Sequence, residues 1–115
     1  CDLDGTILKH VHRYSEIKDT EPILNPGVIE KFNEWDSFGH FIILMTARKE
    51  SARNKTEDDL EKLGIPYDKL VMGVTSGKRI IINDKLTSVC KSRAESVDVI
   101  TDSGFSDIDW KKIGL

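Results

Sequence analysis

Helix-period stripes and short apolar runs alternate along the chain, each bounded by polar turn residues. Val28, Ile29, Phe32, Trp35 and Phe38 recur at helical spacing on one face. Asn25-Pro26-Gly27 precedes them, and the pattern predicts a helix with Asn25 as N-cap and Pro26 at its first position, closed by Gly39. The next run, His40 to Thr46, is almost continuously apolar over strand length, which predicts a strand buried on both faces and hence a parallel sheet. A second helix is predicted from Ser51 to Leu63, with Ala52, Thr56, Leu60 and Leu63 as a thin apolar stripe and Gly64 as its stop. Leu70-Val71-Met72, Arg79-Ile80-Ile81-Ile82-Asn83 and Val97-Asp98-Val99-Ile100 read as further short strands. Lys9 to Leu24 is polar and irregular and reads as a surface loop or small flap. Alternating strands and helices predict an open α/β sheet.

Length and composition narrow this picture. A chain of 115 residues suits one compact domain, residues 1–115, and is too short for two stable cores. With 38% hydrophobic and 32% charged residues it falls among ordinary globular proteins, and no stretch approaches a membrane span. The formal net charge of -3 argues against a broadly basic nucleic-acid footprint. Cys1 and Cys90 supply no disulfide framework, so a reducing, cytoplasmic setting is expected. Only Cys1 precedes the first polar motif, so the strand expected to lead into it reads as truncated.

That motif, Asp2-Leu3-Asp4-Gly5-Thr6, sets two carboxylates at the C-terminal rim of a sheet, where open α/β sheets bind ligands. Gly5 permits a sharp exit from the strand, so both acids can reach one centre. One carboxylate can accept a phosphoryl group as a nucleophile, and the other can protonate the leaving oxygen and later deprotonate the attacking water. Alone, the run is as consistent with an acidic turn. Later strand ends add to it: Thr46 can donate to a phosphate oxygen, Lys78 or Arg79 offers a cation, and Asp84 a third carboxylate for a hard divalent ion such as magnesium. Taken singly, Thr46 could be a cap and Lys78 a solvated charge.

Asp2-Leu3-Asp4-Gly5-Thr6, Leu44-Met45-Thr46-Ala47-Arg48, Lys78 and Ile80-Ile81-Ile82-Asn83-Asp84 together resemble, in order, the four motifs of the haloacid dehalogenase-like phosphohydrolases. The resemblance covers almost the whole chain and implies a three-layer α/β/α, Rossmann-like fold with a mainly parallel sheet. It implies Asp2 as nucleophile and magnesium ligand, and Asp4 as general acid/base that also offers its backbone carbonyl to the metal. Thr46, Ala47 and Lys78 would hold the phosphoryl group, and Asp84 would ligate Mg²⁺. Asn83 and Lys85 flank Asp84 where the family often carries a second acid.

Neither Ile7 to Asn25 nor Ala47 to Gly77 has room for a cap domain, so the resemblance implies a capless phosphatase with an open site. Such a site takes a large substrate or is closed by a neighbouring subunit of a homo-oligomer. His10, His12 and Arg13 could meet the non-reacting part of the substrate or form a solvated basic loop, and Arg48-Lys49 are better placed to meet the leaving group or are ordinary exposed charges. Trp35 is expected in the core, and Cys1 as a buried small hydrophobe. The expected activity is magnesium-dependent phosphomonoester hydrolysis through an aspartyl-phosphate, on a phospho-sugar or related small metabolite. The alternatives are a polynucleotide 3′-phosphatase and a non-catalytic phosphate-binding member. A phosphate-accepting signalling receiver fails on order, because the strand ending at Thr46 carries no Asp.

Overall fold

The computed structural model describes residues 1–85 and 92–115. Its α-helices are α1 (Val28–Ser37) and α2 (Arg53–Leu63), its strands are β1 (Ile43–Met45) and β2 (Lys69–Val71), and short 3-10 helices lie at Tyr14–Asp19, Glu50–Ala52 and Trp110–Ile113. The strands pair in parallel, Ile43 with Lys69 and Met45 with Val71, with α2 as the crossover between them. On the other side of β1, Asp2 makes a parallel bridge to Met45. The first motif therefore lies alongside β1 in an α/β arrangement.

The core explains the register. Leu3, Ile7, Leu8, Val28, Phe32, Leu44 and Leu60 are all within 1% of full burial, so the motif loop, α1, β1 and α2 share one apolar centre. α2 follows its predicted stripe, with Thr56 and Leu60 inward, and Gly64 closes it in the left-handed region at φ 71°. Trp35 packs as expected, against Phe32, Phe105 and Trp110 at ring separations of 5.1 to 5.9 Å. None of the described helices is long and apolar enough to cross a membrane.

Several elements differ from expectation. Asn25 does not cap α1: Gly27 takes that position, and the Asn25 side chain donates instead to the Thr6 carbonyl at 3.1 Å. A buried amide that can tie down the motif loop satisfies a more costly backbone group than an exposed helix end would. Phe38 lies just beyond α1 and is 72% exposed. β1 is buried on one face only, because Ile42 and Leu44 point inward while Phe41 and Ile43 do not. Residues 79–83 and 97–100 form no strand, and Ile80, Ile81, Ile82 and Ile100 are exposed. An apolar run becomes a strand only where a backbone edge is available to pair with it, and these two find no ladder among the described residues. Cys1 is also exposed, not buried.

Candidate active site

The motif loop is built by one carbonyl. The amides of Thr6, Ile7 and Leu8 all approach the Leu3 oxygen, at 3.3, 2.9 and 3.0 Å, and Gly5 turns the chain at φ 84°. A side chain at Gly5 would be strained there, and its Cβ would come 3.0 Å from Thr101. Leu3 is fully buried, so in extended chain its neighbours Asp2 and Asp4 share the opposite face. Both face a cavity of about 350 Å³, lined also by His10, Tyr14, Ala47, Ser76, Arg79 and Thr101.

The two carboxylates are held in unlike ways. Asp4 is 6% exposed and pairs with Arg48, 3% exposed: Nη2 donates to Oδ1 at 2.7 Å and Nε to Oδ2 at 3.0 Å. The far side of the guanidinium donates to Thr56 Oγ1 at 3.1 Å, so α2 fixes Arg48 and Arg48 fixes Asp4. Asp2 is 34% exposed, and Arg79 Nη2 donates to its Oδ1 at 3.0 Å. One acid is locked and one is open. Burial, and after it the charges of Asp4 and Asp2, raise the pKa of the Tyr14 phenol, with Arg48 and Arg79 opposing.

Other sequence-predicted residues are distributed as follows. Ala47 lines the cavity, whereas Thr46 is buried and is not part of the lining. The Thr46 amide completes the ladder to the Val71 carbonyl at 3.0 Å, and its hydroxyl donates to Asp4 Oδ2 at 3.2 Å while accepting from the Arg48 amide. Both Thr46 donors are thereby spent on the frame of the site. Arg48, expected at the leaving group, is buried beneath Asp4 because a bidentate partner and Thr56 offer it more than solvent does. Lys78 is exposed and outside the cavity lining, and Arg79 is the cation that reaches Asp2. His10 lines the cavity, and His12 contacts His10 edge-on at 5.5 Å. Asp84 is paired with Arg93 at 2.8 Å, away from the other two acids. Among the described residues no three His, Cys, Asp or Glu side chains converge as a metal site.

Tyr14, Ser76 and Thr101 were not anticipated from sequence. Thr101 directly follows the apolar run 97–100, the same position after an apolar run that Thr46 holds. Tyr14 and Ser76 lie in polar loops whose composition carries no such signal.

No protein-family model and no curated protein matches the chain. Among solved structures, a chain of the Pnkp1/Rnl/Hen1 complex matches with a TM-score of 0.57 and 33% sequence identity. The match covers 70% of this chain and 29% of that one. The two share a fold. This chain thus corresponds to under a third of its solved neighbour's length, and what the whole neighbour does is a property of that larger protein.

Proposed function

We propose that the chain is a phosphomonoester hydrolase in which Asp2 accepts the phosphoryl group and Asp4 handles the proton. The observation that carries this reading is the pair of carboxylates facing one cavity, one open beside a cation and one locked. An open carboxylate can approach phosphorus, while Arg79 offsets the repulsion between two anions at contact distance. Asp4 enters the cycle as the carboxylic acid, with Arg48 still donating to its Oδ1; Asp2 attacks, the P–O bond to the leaving group breaks, and Asp4 passes that proton to the departing oxygen. Asp4 then takes a proton from the water that attacks the aspartyl-phosphate, which releases inorganic phosphate and restores Asp2. Arg48 keeps Asp4 aimed through both steps.

Magnesium belongs to the same proposal. Magnesium sites commonly use one or two carboxylates and several waters, and the partly exposed Asp2 suits the smaller set, while Asp84 pairs with Arg93 at the surface. When bound, the ion would neutralise the charge that gathers as phosphate meets carboxylate. Membership of the haloacid dehalogenase-like family, with its three-layer sheet, is part of this reading. The parallel pair β1 and β2 with Asp2 bridged alongside supports it.

The cavity volume suits a small phosphorylated metabolite such as a phospho-sugar, and the hydroxyls of Tyr14, Ser76 and Thr101 suit a polar leaving group. A second reading, a polynucleotide 3′-phosphate end, is favoured by the likeness to a chain of the Pnkp1/Rnl/Hen1 complex. Sugar phosphates, nucleotides and 3′-phosphorylated oligonucleotides assayed side by side, with and without Mg²⁺, test both. Phosphate release that stops on chelation and returns with Mg²⁺ is expected, and the preferred substrate selects between the readings. Binding of all three classes without turnover would contradict the enzymatic reading.

A further inference from the structure

We infer that Asp102 is a positioning residue that pins the root of the flap to the rim of the Asp2–Asp4 cavity. The inference rests on the phosphomonoesterase reading of that cavity. Among the described residues, Asp102 is the one non-glycine with positive φ, at 64°. The left-handed region is disfavoured for any residue with a Cβ, and glycine would occupy it freely. What aspartate supplies and glycine could not is a side-chain acceptor. Asp102 Oδ1 accepts the His10 amide at 2.7 Å, and the Asp102 amide donates to the Gly5 carbonyl, also at 2.7 Å.

One strained residue therefore joins three parts of the site: the C-terminal segment, the motif turn and the start of the flap. Its neighbour Thr101 and its partner His10 both line the cavity with Asp2 and Asp4. Beyond His10, residues 12–16 are exposed, and the next buried anchor of the flap is Ile17, in the short 3-10 helix Tyr14–Asp19. The position of His10 thus depends on the Asp102 carboxylate, and Tyr14, set by its own helical turn, stands with it in the cavity lining. Those side chains meet the part of a substrate that lies beyond its phosphate.

Asp102→Gly separates strain from tethering, because it relieves the backbone while deleting the acceptor. Asp102→Asn keeps an oxygen acceptor and tolerates the left-handed conformation. Amide exchange at His10 in Asp102→Gly should rise by about tenfold or more, the range for losing a hydrogen bond to a charged group, with no fall in thermal midpoint. KM for the preferred substrate should rise about three- to tenfold with kcat changed less, as for lost ground-state positioning. Asp102→Asn should restore both. Unchanged exchange at His10 in Asp102→Gly, faster exchange with unchanged KM, or failure of Asn to rescue would each overturn the assignment. If the unaltered chain turns over no phosphomonoester, the proposed function falls and the substrate role of Asp102 with it, while His10 exchange still decides the tether.

Discussion

At the scale of single residues, the site depends on an ion pair buried almost completely. Arg48 and Asp4 are 3% and 6% exposed, so truncating one strands a charge out of water. Arg48→Met should lower unfolding stability by about 3–5 kcal/mol, the usual cost of breaking a buried pair from one side. Adding Asp4→Leu in the same chain should recover much of that loss in urea titrations, since the stranded carboxylate is then gone. Equal instability of the single and double variants would contradict the pairing. Arg48→Lys should also reduce turnover, because a point charge cannot reproduce the two-pronged contact that aims Asp4.

Tyr14 gives a readout of the same site without any substrate. Burial and the charges of Asp4 and Asp2 make its phenol harder to ionise in the folded chain than in the unfolded one. The folded state therefore keeps this proton longer. The stabilising effect is complete at pH below the ordinary phenol pKa and is lost as pH rises through the higher folded value. An ultraviolet difference titration, unaltered chain minus Tyr14→Phe, should show this phenol ionising above the ordinary tyrosine range, and Asp4→Asn should bring it down. No response to Asp4→Asn would place Tyr14 away from the carboxylates.

That Asp2 and Asp4 could share one centre was legible in the sequence, because Gly5 permits a sharp exit from the strand, although the run alone reads equally as an acidic turn. Arg48 was legible as a cation close to the site but not as a buried partner of Asp4, because nothing in linear sequence says that Asp4 and Thr56 converge on it. Arg79 was one of two candidate cations, and adjacent side chains point in different directions for reasons of backbone geometry that spacing does not carry.

Among the elements, α2 and the pair β1 and β2 follow from periodicity and stop signals, because local pattern and tertiary contacts agree there. The runs 79–83 and 97–100 show where that reasoning ends: apolar residues propose a strand, but pairing needs a second edge. The aromatic packing of α1 and the C-terminal segment was likewise half-legible, since Trp35 was expected inward but its partners Phe105 and Trp110 were not. That segment closes over α1 at Gly104, where a Cβ would sit 2.2 Å from the Pro26 carbonyl oxygen, at a φ of 72°. The Phe105 amide bonds the same carbonyl at 2.7 Å. Gly104→Ala combines a backbone clash with left-handed strain and should cost about 3 kcal/mol or more. Thermal melts check this, and an unaltered midpoint would mean that the segment does not dock as described.

For the molecule as a whole, the fold serves to bring distant chain segments to one rim. Motif loop, flap, the turn after β1, residues 76–79 and the C-terminal segment all contribute to a single cavity, within a chain of net charge -3. The acidic balance and the cations at the rim have separate roles: the first governs the whole surface, and Arg79 acts locally on Asp2. Both substrate readings share one chemical event, transfer of a phosphoryl group to Asp2. The most direct test is to mix the protein with Mg²⁺ and its best phosphomonoester, quench in acid during turnover, and map the phosphoryl group by mass spectrometry. An acid-stable, base-labile adduct is expected on the peptide containing Asp2, absent from Asp2→Asn, which should also release no phosphate. Phosphate release that persists in Asp2→Asn, or turnover with no adduct on that peptide, would contradict phosphoryl transfer to Asp2.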